Sequence, residues 1–190
     1  MRSSFRAALC AAACSSLLLL APAVLGGTAV RMELPDLASN AALIVEARVL
    51  SARAVETNGL LQTEYLLQVA RTFAGDDQVV RTVRLPGGER PDGSGLVIPG
   101  MPRIAAGEDV LLFLSEEGKA GVRMPIGLAQ GKFDVVVLPT GAKRLIGDAS
   151  GMSLVPPGGG EVQHGGRSLI DYAEAVARIE AALAKKRSQR

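Results

Sequence analysis

The chain of 190 residues carries 21 Lys and Arg against 19 Asp and Glu, a formal net charge of +2. This balance leaves no basic footprint for nucleic acid, and the length suits a single domain. Tryptophan is absent and aromatic residues make up 3% of the chain, which disfavours an aromatic sugar-binding platform or a base-stacking surface.

The first 23 residues have the pattern of a secretory signal peptide. A basic start at Arg2 and Arg6 precedes the apolar run Ala7–Leu20, and the small-x-small sequence at 21–23 is a cleavage signal. One alternative is a membrane anchor, but the run is shorter than the roughly 20 apolar residues that a spanning helix needs. Another is a lipid anchor on a cysteine of this segment. We therefore expect a secreted or periplasmic protein without a membrane span after signal removal.

Removal of this segment changes the chemistry that is available to the mature chain. It takes away Arg2 and Arg6, so basic and acidic residues become equal in number. It also takes away Cys10 and Cys14, the two cysteines of the chain. A disulfide, a thiolate nucleophile and a Cys-ligated metal are thereby excluded from the mature protein.

The first half of the mature chain predicts a short helix followed by three strands. Pro35 suits the first turn of a helix over Glu33–Asn40. In the strand at Ala41–Ala52, apolar residues alternate with Glu46 and Arg48, the period of a half-buried strand. Strands at Gln62–Phe73 and Val79–Leu85 follow, and the residues Glu-Thr-Asn-Gly at 56–59 predict a hairpin turn.

The second half predicts further strands and a terminal helix. After a Gly/Pro-rich loop at 86–95, the segment Leu96–Phe133 contains the apolar run Val110–Leu114, which is typical of a strand buried on both faces. A second hairpin joins strands at 133–138 and 143–146, and residues 148–166 predict a long surface loop. The helix is expected over Ser168–Lys186, with a capping-box-like start at Ser168 and Asp171 and an apolar stripe.

About six short strands with two helices predict a mainly β protein, either a small barrel or a sandwich with helical additions. The expected division is a signal peptide at 1–23, a β-barrel domain at 24–147, a Gly/Pro-rich loop at 148–167 and a C-terminal helix at 168–190 that packs on the same domain.

Three segments carry a resemblance to a known family. Asn-Ala-Ala-Leu-Ile-Val-Glu-Ala-Arg-Val at 40–49 resembles the opening strand of netrin-like domains, the OB-type barrel of tissue inhibitors of metalloproteinases. Tyr65–Gly75, which ends in aromatic-x-Gly, and Ala106–Leu112 are similar to two later strands. The chain is also similar to small exported bacterial proteins of unknown role that share Pro-Gly-x-Pro, Gly-Glu and Gly-x-x-Gln-Gly-Lys-Phe. The resemblance covers roughly 34–135.

The resemblance implies a small OB-like barrel with a short N-terminal helix and a C-terminal helix. It also implies an exported protein partner, including an exported zinc metalloprotease. In the inhibitor family an amino-terminal cysteine chelates the protease zinc and disulfides hold the barrel. The mature chain lacks both, so inhibition by that mechanism is not expected here.

The candidate binding residues are Pro99, Met101, Arg103, Gln130 and Lys132. The first three lie in a stiff loop, and loops on a rigid scaffold often carry binding. The alternative is a turn with Met101 tucked into the core. Gln130 and Lys132 flank a glycine and would stand at a barrel mouth. The favoured alternative is that Gly127 and Gly131 serve a bulge or close backbone approach while the polar side chains are solvated.

No catalytic or metal site is predicted, and no cofactor. His164 is the single histidine and is expected to be an exposed loop residue, because a metal site needs several ligands and a triad needs an oriented base. Carboxylates such as Glu64, Glu108 and Asp134 could converge in space and support a hydrolase.

The sequence thus leaves three functions open. The favoured one is an exported non-enzymatic protein-binding module. The others are a structural or envelope-associated protein without a discrete ligand, and a carboxylate hydrolase.

Overall fold

The structure is a computed structural model that describes residues 26–189. The predicted signal peptide at 1–23 lies outside the described residues. Within that range the chain forms twelve strands, two α-helices and a 3₁₀ helix at Leu128–Gly131. In chain order these are β1 (Gly27–Val30), α1 (Leu34–Asn40), β2 (Leu43–Thr57), β3 (Leu60–Ala74), β4 (Val80–Pro86), β5 (Gly88–Glu89), β6 (Gly95–Leu96), β7 (Asp109–Leu114), β8 (Lys132–Val137), β9 (Lys143–Asp148), β10 (Met152–Val155), β11 (Gln163–His164), β12 (Arg167–Asp171) and α2 (Tyr172–Ser188).

Seven of the strands form one antiparallel sheet in the order β12-β9-β8-β7-β2-β3-β4. A smaller sheet joins β1, β10 and β11, in which β1 and β10 run parallel. Strands β5 and β6 form a two-stranded ribbon. The sheets are not closed into a barrel, so the predicted β-barrel domain at 24–147 is wrong: the seven strands form an open sheet with β12 and β4 at its two edges.

One face of the large sheet is covered by both helices. Ile179 and Leu183 of α2 and Leu37 of α1 are buried against strand residues such as Phe113 and Phe133. The rings of Phe113 and Phe133 meet edge to face at 5.9 Å, a preferred aromatic arrangement. This core attaches the terminal helix to the sheet.

The other face encloses a second core without a helical layer. Val83 of β4 and Val110 of β7 belong to this core, although β2 and β3 separate their strands in the sheet. The sheet must therefore bend. The Arg123 N–H, in the β7–β8 connection, donates to the Arg84 carbonyl of β4 at 2.9 Å. Ile104 from the preceding loop is buried in the same core.

The prediction of a mainly β protein with a short N-terminal helix and a C-terminal helix is confirmed. The Asn58-Gly59 hairpin is also confirmed, since both residues have positive φ, 53° and 74°, as a type I′ turn requires. Val110–Leu114 is buried on both faces, as its unbroken apolar run predicts.

The predicted start of the C-terminal helix is wrong. Residues 167–171 form β12 and pair with β9, so Ser168 is not an N-cap. The cap is Asp171, whose Oδ1 accepts from the N–H groups of Ala173 and Glu174 at 2.9 and 3.2 Å. The alternation of polar and apolar residues in Arg167–Asp171 covers only five residues, so the longer helical pattern that follows it dominates the prediction.

The predicted loop at 148–166 is also only partly right. It contains β10, which pairs in parallel with β1, and the two-residue strand β11. Two parallel strands from distant segments are not joined by a hairpin, so the sequence contains no turn residues that would predict their pairing. No helix within residues 26–189 is long and apolar enough to cross a membrane.

The helix-covered core predicts the effect of a single truncation. Ile179→Ala should lower the free energy of unfolding by about 2–5 kcal/mol, because it leaves a cavity beneath α2. Urea unfolding followed by circular dichroism measures this. The matched control is Leu169→Ala on β12, where the side chain is 68% exposed and a change within about 0.5 kcal/mol is expected. If Ile179→Ala lowers the free energy of unfolding by no more than Leu169→Ala does, Ile179 is not packed in the core as described.

Candidate functional site

A groove of about 620 Å³ runs between the bent sheet and the segment 96–104. Strands β2, β3 and β4 form one wall, and the β5–β6 ribbon with the following loop forms the other. We call this feature the loop groove. Its apolar lining consists of Tyr65, Leu85, Leu96, Val97, Ile98, Met101 and Ile104.

Glycines let the chain form the narrow end of this groove. Gly87 has φ of 85°, and a Cβ there would meet the Leu96 carbonyl oxygen at 2.7 Å. The Thr63 hydroxyl donates to the Gly87 carbonyl at 2.9 Å and fixes the turn after β4. A side chain at position 87 would therefore push the ribbon away from the sheet.

The Pro-Gly-Met-Pro loop has a defined conformation. The Met101 N–H donates to the Ile98 carbonyl at 3.1 Å, and Gly100 between them has φ of 82°. The Gly100 carbonyl accepts from the Ala129 N–H at 2.8 Å, which attaches the loop to the 3₁₀ helix. Met101 is partly buried against the second core and also lines the groove.

The groove floor is apolar and its rim is charged. Tyr65 is 7% exposed, and burial raises the pKa of its hydroxyl. Arg53, Arg103 and Glu89 lie on the rim. Arg53 donates to Glu64, whereas Arg103 is exposed and forms no salt bridge among the described residues. The rim therefore carries more positive than negative charge.

Glu64 sits between two arginines on neighbouring strands. Its carboxylate accepts from Arg53 at 2.5 Å and from Arg84 at 2.8 Å. Hydrogen bonds from these guanidinium groups lower the pKa of Glu64. This row of charges stabilises the strands beside the groove and holds Arg53 in place.

The candidate residues from the sequence do not form one site. Met101 and Arg103 line the loop groove and Pro99 lies exposed in the same loop. Gln130 and Lys132 do not line the groove, and their side chains are engaged elsewhere. The expectation that both are solvated is wrong.

Gln130 is a bridge between backbone segments. Its Oε1 accepts from the Met32 N–H at 2.9 Å, and its Nε2 donates to the carbonyls of Val30 and Gly127 at 3.0 and 3.1 Å. The glycine prediction is confirmed here, since a Cβ at Gly131 would lie 2.4 Å from the Ile126 carbonyl oxygen. Gly127 has φ of 67°.

Lys132 lies between two carboxylates. Its ammonium is 2.5 Å from Asp134 Oδ1 and 3.3 Å from Glu108 Oε2, and the side chain is mostly buried. Two of the three carboxylates proposed for a hydrolase therefore do converge. They converge on a cation that neutralises them, and neither lines the loop groove.

His164 is exposed, as predicted, but lies in β11 opposite Ser153 rather than in a loop. Within residues 26–189, no group of three or more His, Cys, Asp or Glu side chains could hold a metal ion.

A polar cluster that the sequence pattern does not reveal joins the buried Glu46 to the half-buried Tyr172 and the exposed Lys143. We call it the Glu46 cluster. Glu46 is 6% exposed; its Oε1 accepts from Lys143 Nζ at 3.0 Å, and its Oε2 accepts from the Tyr172 hydroxyl. The hydrogen bond with Glu46 raises the pKa of Lys143. Burial, together with the hydrogen bond to Glu46, raises the pKa of the Tyr172 hydroxyl. Alternation placed Glu46 on a solvated face, but α2 covers that face.

Comparison of the chain with protein-family models, curated proteins and solved structures finds no match. The resemblance to netrin-like domains therefore stays a prediction.

The Glu46 cluster predicts that Tyr172→Phe lowers the free energy of unfolding by about 1–3 kcal/mol, because the buried Glu46 carboxylate loses a hydrogen-bond donor. Urea unfolding at neutral pH measures the loss. Arg48→Ala, which breaks an exposed salt bridge with Asp109, should cost less than about 1 kcal/mol and is the control. An equal effect of both variants would contradict a structural role for the cluster.

The Glu64 row predicts a pH dependence. Because the folded-state pKa of Glu64 lies below its unfolded value, its contribution to stability is present at neutral pH and is lost as the pH falls through the folded pKa. The stability difference between the natural protein and Glu64→Gln should therefore shrink on acidification below the ordinary glutamate pKa of about 4.3. Unfolding curves recorded across this range test the sign, and a difference that grows toward acid would refute it.

Proposed function

We propose that this protein is an exported, non-enzymatic protein-binding module that holds an extended segment of another exported protein in the loop groove. The observation that carries the proposal is the continuity of the apolar floor with exposed apolar side chains. Val97 is 86% exposed and Leu96 is 47% exposed, both beside Met101. Neighbouring apolar residues on a groove rim are typical of a contact surface.

The groove also indicates the chemistry of the segment. An apolar side chain would fit against Met101 and Val97, which line the groove together with Leu96 and Ile98. Met adapts its shape to different partners. Arg103 would pair with an acidic side chain, since it has no carboxylate of its own among the described residues. The preferred partner segment therefore combines apolar residues with Asp or Glu.

The signal pattern at 1–23 supports the proposal of export, and the netrin-like resemblance supports the proposed class of partner. We include an exported zinc metalloprotease among the candidate partners on that basis alone. An OB-like relationship would place the loop groove at the edge of a partly open sheet, where the loops of such folds carry binding.

The first experiment is an affinity capture followed by a binding measurement. The tagged protein is mixed with exported proteins of its source, and captured proteins are identified by mass spectrometry. Each is then titrated in purified form against the natural protein and against Val97→Asp and Arg103→Glu. A loss of about tenfold or more in affinity is expected for both variants, because an unpaired charge would be buried at the contact.

The matched control is Leu169→Asp, an equally drastic change at an exposed apolar residue on β12, the opposite edge strand from β4. It should bind as the natural protein does. If a partner binds Val97→Asp, Arg103→Glu and Leu169→Asp with equal affinity, the loop groove is not the binding site. Recovery of envelope material alone would favour the structural alternative.

A further inference from the structure

A second cavity, of about 400 Å³, opens beside the residues that follow β1. Three arginines line it, Arg31, Arg167 and Arg178, together with the carboxylates of Glu33 and Asp148. We call it the arginine cavity. Its apolar wall consists of Leu34, Leu37, Phe133, Leu154 and Ile170. It shares no lining residue with the loop groove.

Two of the three arginines have an acidic neighbour. Arg178 lies 3.7 Å from Glu33, and Arg167 lies 3.6 Å from Asp148. Asp148 also accepts from the N–H and hydroxyl of Ser150, and these bonds lower its pKa, so it stays ionised. The two carboxylates are thus matched by two guanidinium groups.

Arg31 is the cation left over. It forms no salt bridge with any described residue, and its Nε is buried without a hydrogen-bond partner. A guanidinium group is permanently charged and has five N–H donors. A cavity with an unmatched guanidinium group on one side and apolar residues on the other is suited to an anion with an apolar body.

The backbone around Arg31 is fixed on both sides. Gln130 bonds the Val30 carbonyl and the Met32 N–H, and the Arg31 N–H donates to the Val155 carbonyl of β10 at 2.8 Å. The Cα–Cβ direction of Arg31 is therefore set when the protein folds. Such preorganisation raises affinity because less freedom is lost on binding.

We propose that the arginine cavity binds a small organic carboxylate. Arg31 binds the carboxylate, and the wall around Phe133 and Leu154 contacts the apolar body. Guanidinium and carboxylate groups pair through two parallel hydrogen bonds. The volume lies within the range of small-molecule sites. A free aliphatic acid and the C-terminal residue of a peptide share this chemistry.

The test titrates the full chain by calorimetry with hexanoate, with N-acetylleucine as a mimic of a peptide C-terminus, and with hexylamine as the matched cation. At least one of the two acids should bind saturably, and hexylamine should not. Arg31→Gln should weaken binding of that acid by about tenfold or more, the usual size of a charge-assisted hydrogen bond. The tighter of the two acids identifies the source of the carboxylate.

The control is Arg48→Gln, which removes an exposed arginine that does not line the cavity and should leave affinity unchanged. Gln130 also lines the cavity, and Gln130→Ala should weaken binding without any change in charge, because it removes the bonds that hold the backbone on both sides of Arg31. If Arg31→Gln does not fold, Arg31→Lys keeps the charge but loses the paired donors and should cost several-fold in affinity. Absence of saturable binding of both acids, equal binding of hexylamine, or unchanged affinity in the Arg31 variant that folds would overturn the proposal.

Discussion

Burial of both faces of the first part of strand β2, residues 43–47, is the constraint on which the rest of the structure depends. Val45 and Ala47 point into the second core, whereas Ile44 points into the core beneath the helices. Glu46 faces the helices as well, and a buried carboxylate is tolerated only when it is paired and hydrogen-bonded. Its partners, Lys143 and Tyr172, come from β9 and the first residue of α2. One carboxylate in the central sheet therefore joins β9 and the first residue of the last helix.

Both candidate sites lie where irregular segments complete this sheet. The loop groove exists because the segment before β7 contributes Ile104 to the second core and then leaves space beside Met101. The arginine cavity exists because Gln130 fixes the residues after β1 against the 3₁₀ helix. In each case a rigid backbone presents an arginine that has no acidic partner among the described residues.

Local patterns were sufficient for much of the fold. The Asn58-Gly59 turn, the apolar run of β7 and Pro35 in the first turn of α1 each act through a few neighbouring residues, and each prediction is confirmed. Strand pairings between distant segments have no comparable local pattern in the sequence. The strand β12 and the parallel pair of β1 with β10 depend on partners elsewhere in the chain.

The sites were predicted less well for the same reason. The Pro-Gly-Met-Pro loop was recognised because prolines and glycine stiffen it, and it does line a groove. Gln130 was recognised as unusual, but its role as a backbone bridge depends on β1, which the sequence does not announce. Nothing near Arg31 in the sequence distinguishes it from any other arginine, because its proposed role depends on the absence of a nearby carboxylate among the described residues of the folded protein.

The pairing of β1 with β10 also has a consequence for the order of assembly. Gly27 meets Met152, so this strand pair can form only after most of the chain, through β10, has left the ribosome. Contacts of such long sequence separation form late, since the chain must first lose the entropy of closing a large loop. The residues from Val30 to Met32 acquire their final positions when this pair forms. The arginine cavity therefore forms late in folding. A ligand that binds in it would report the fraction of molecules in which β1 has paired with β10.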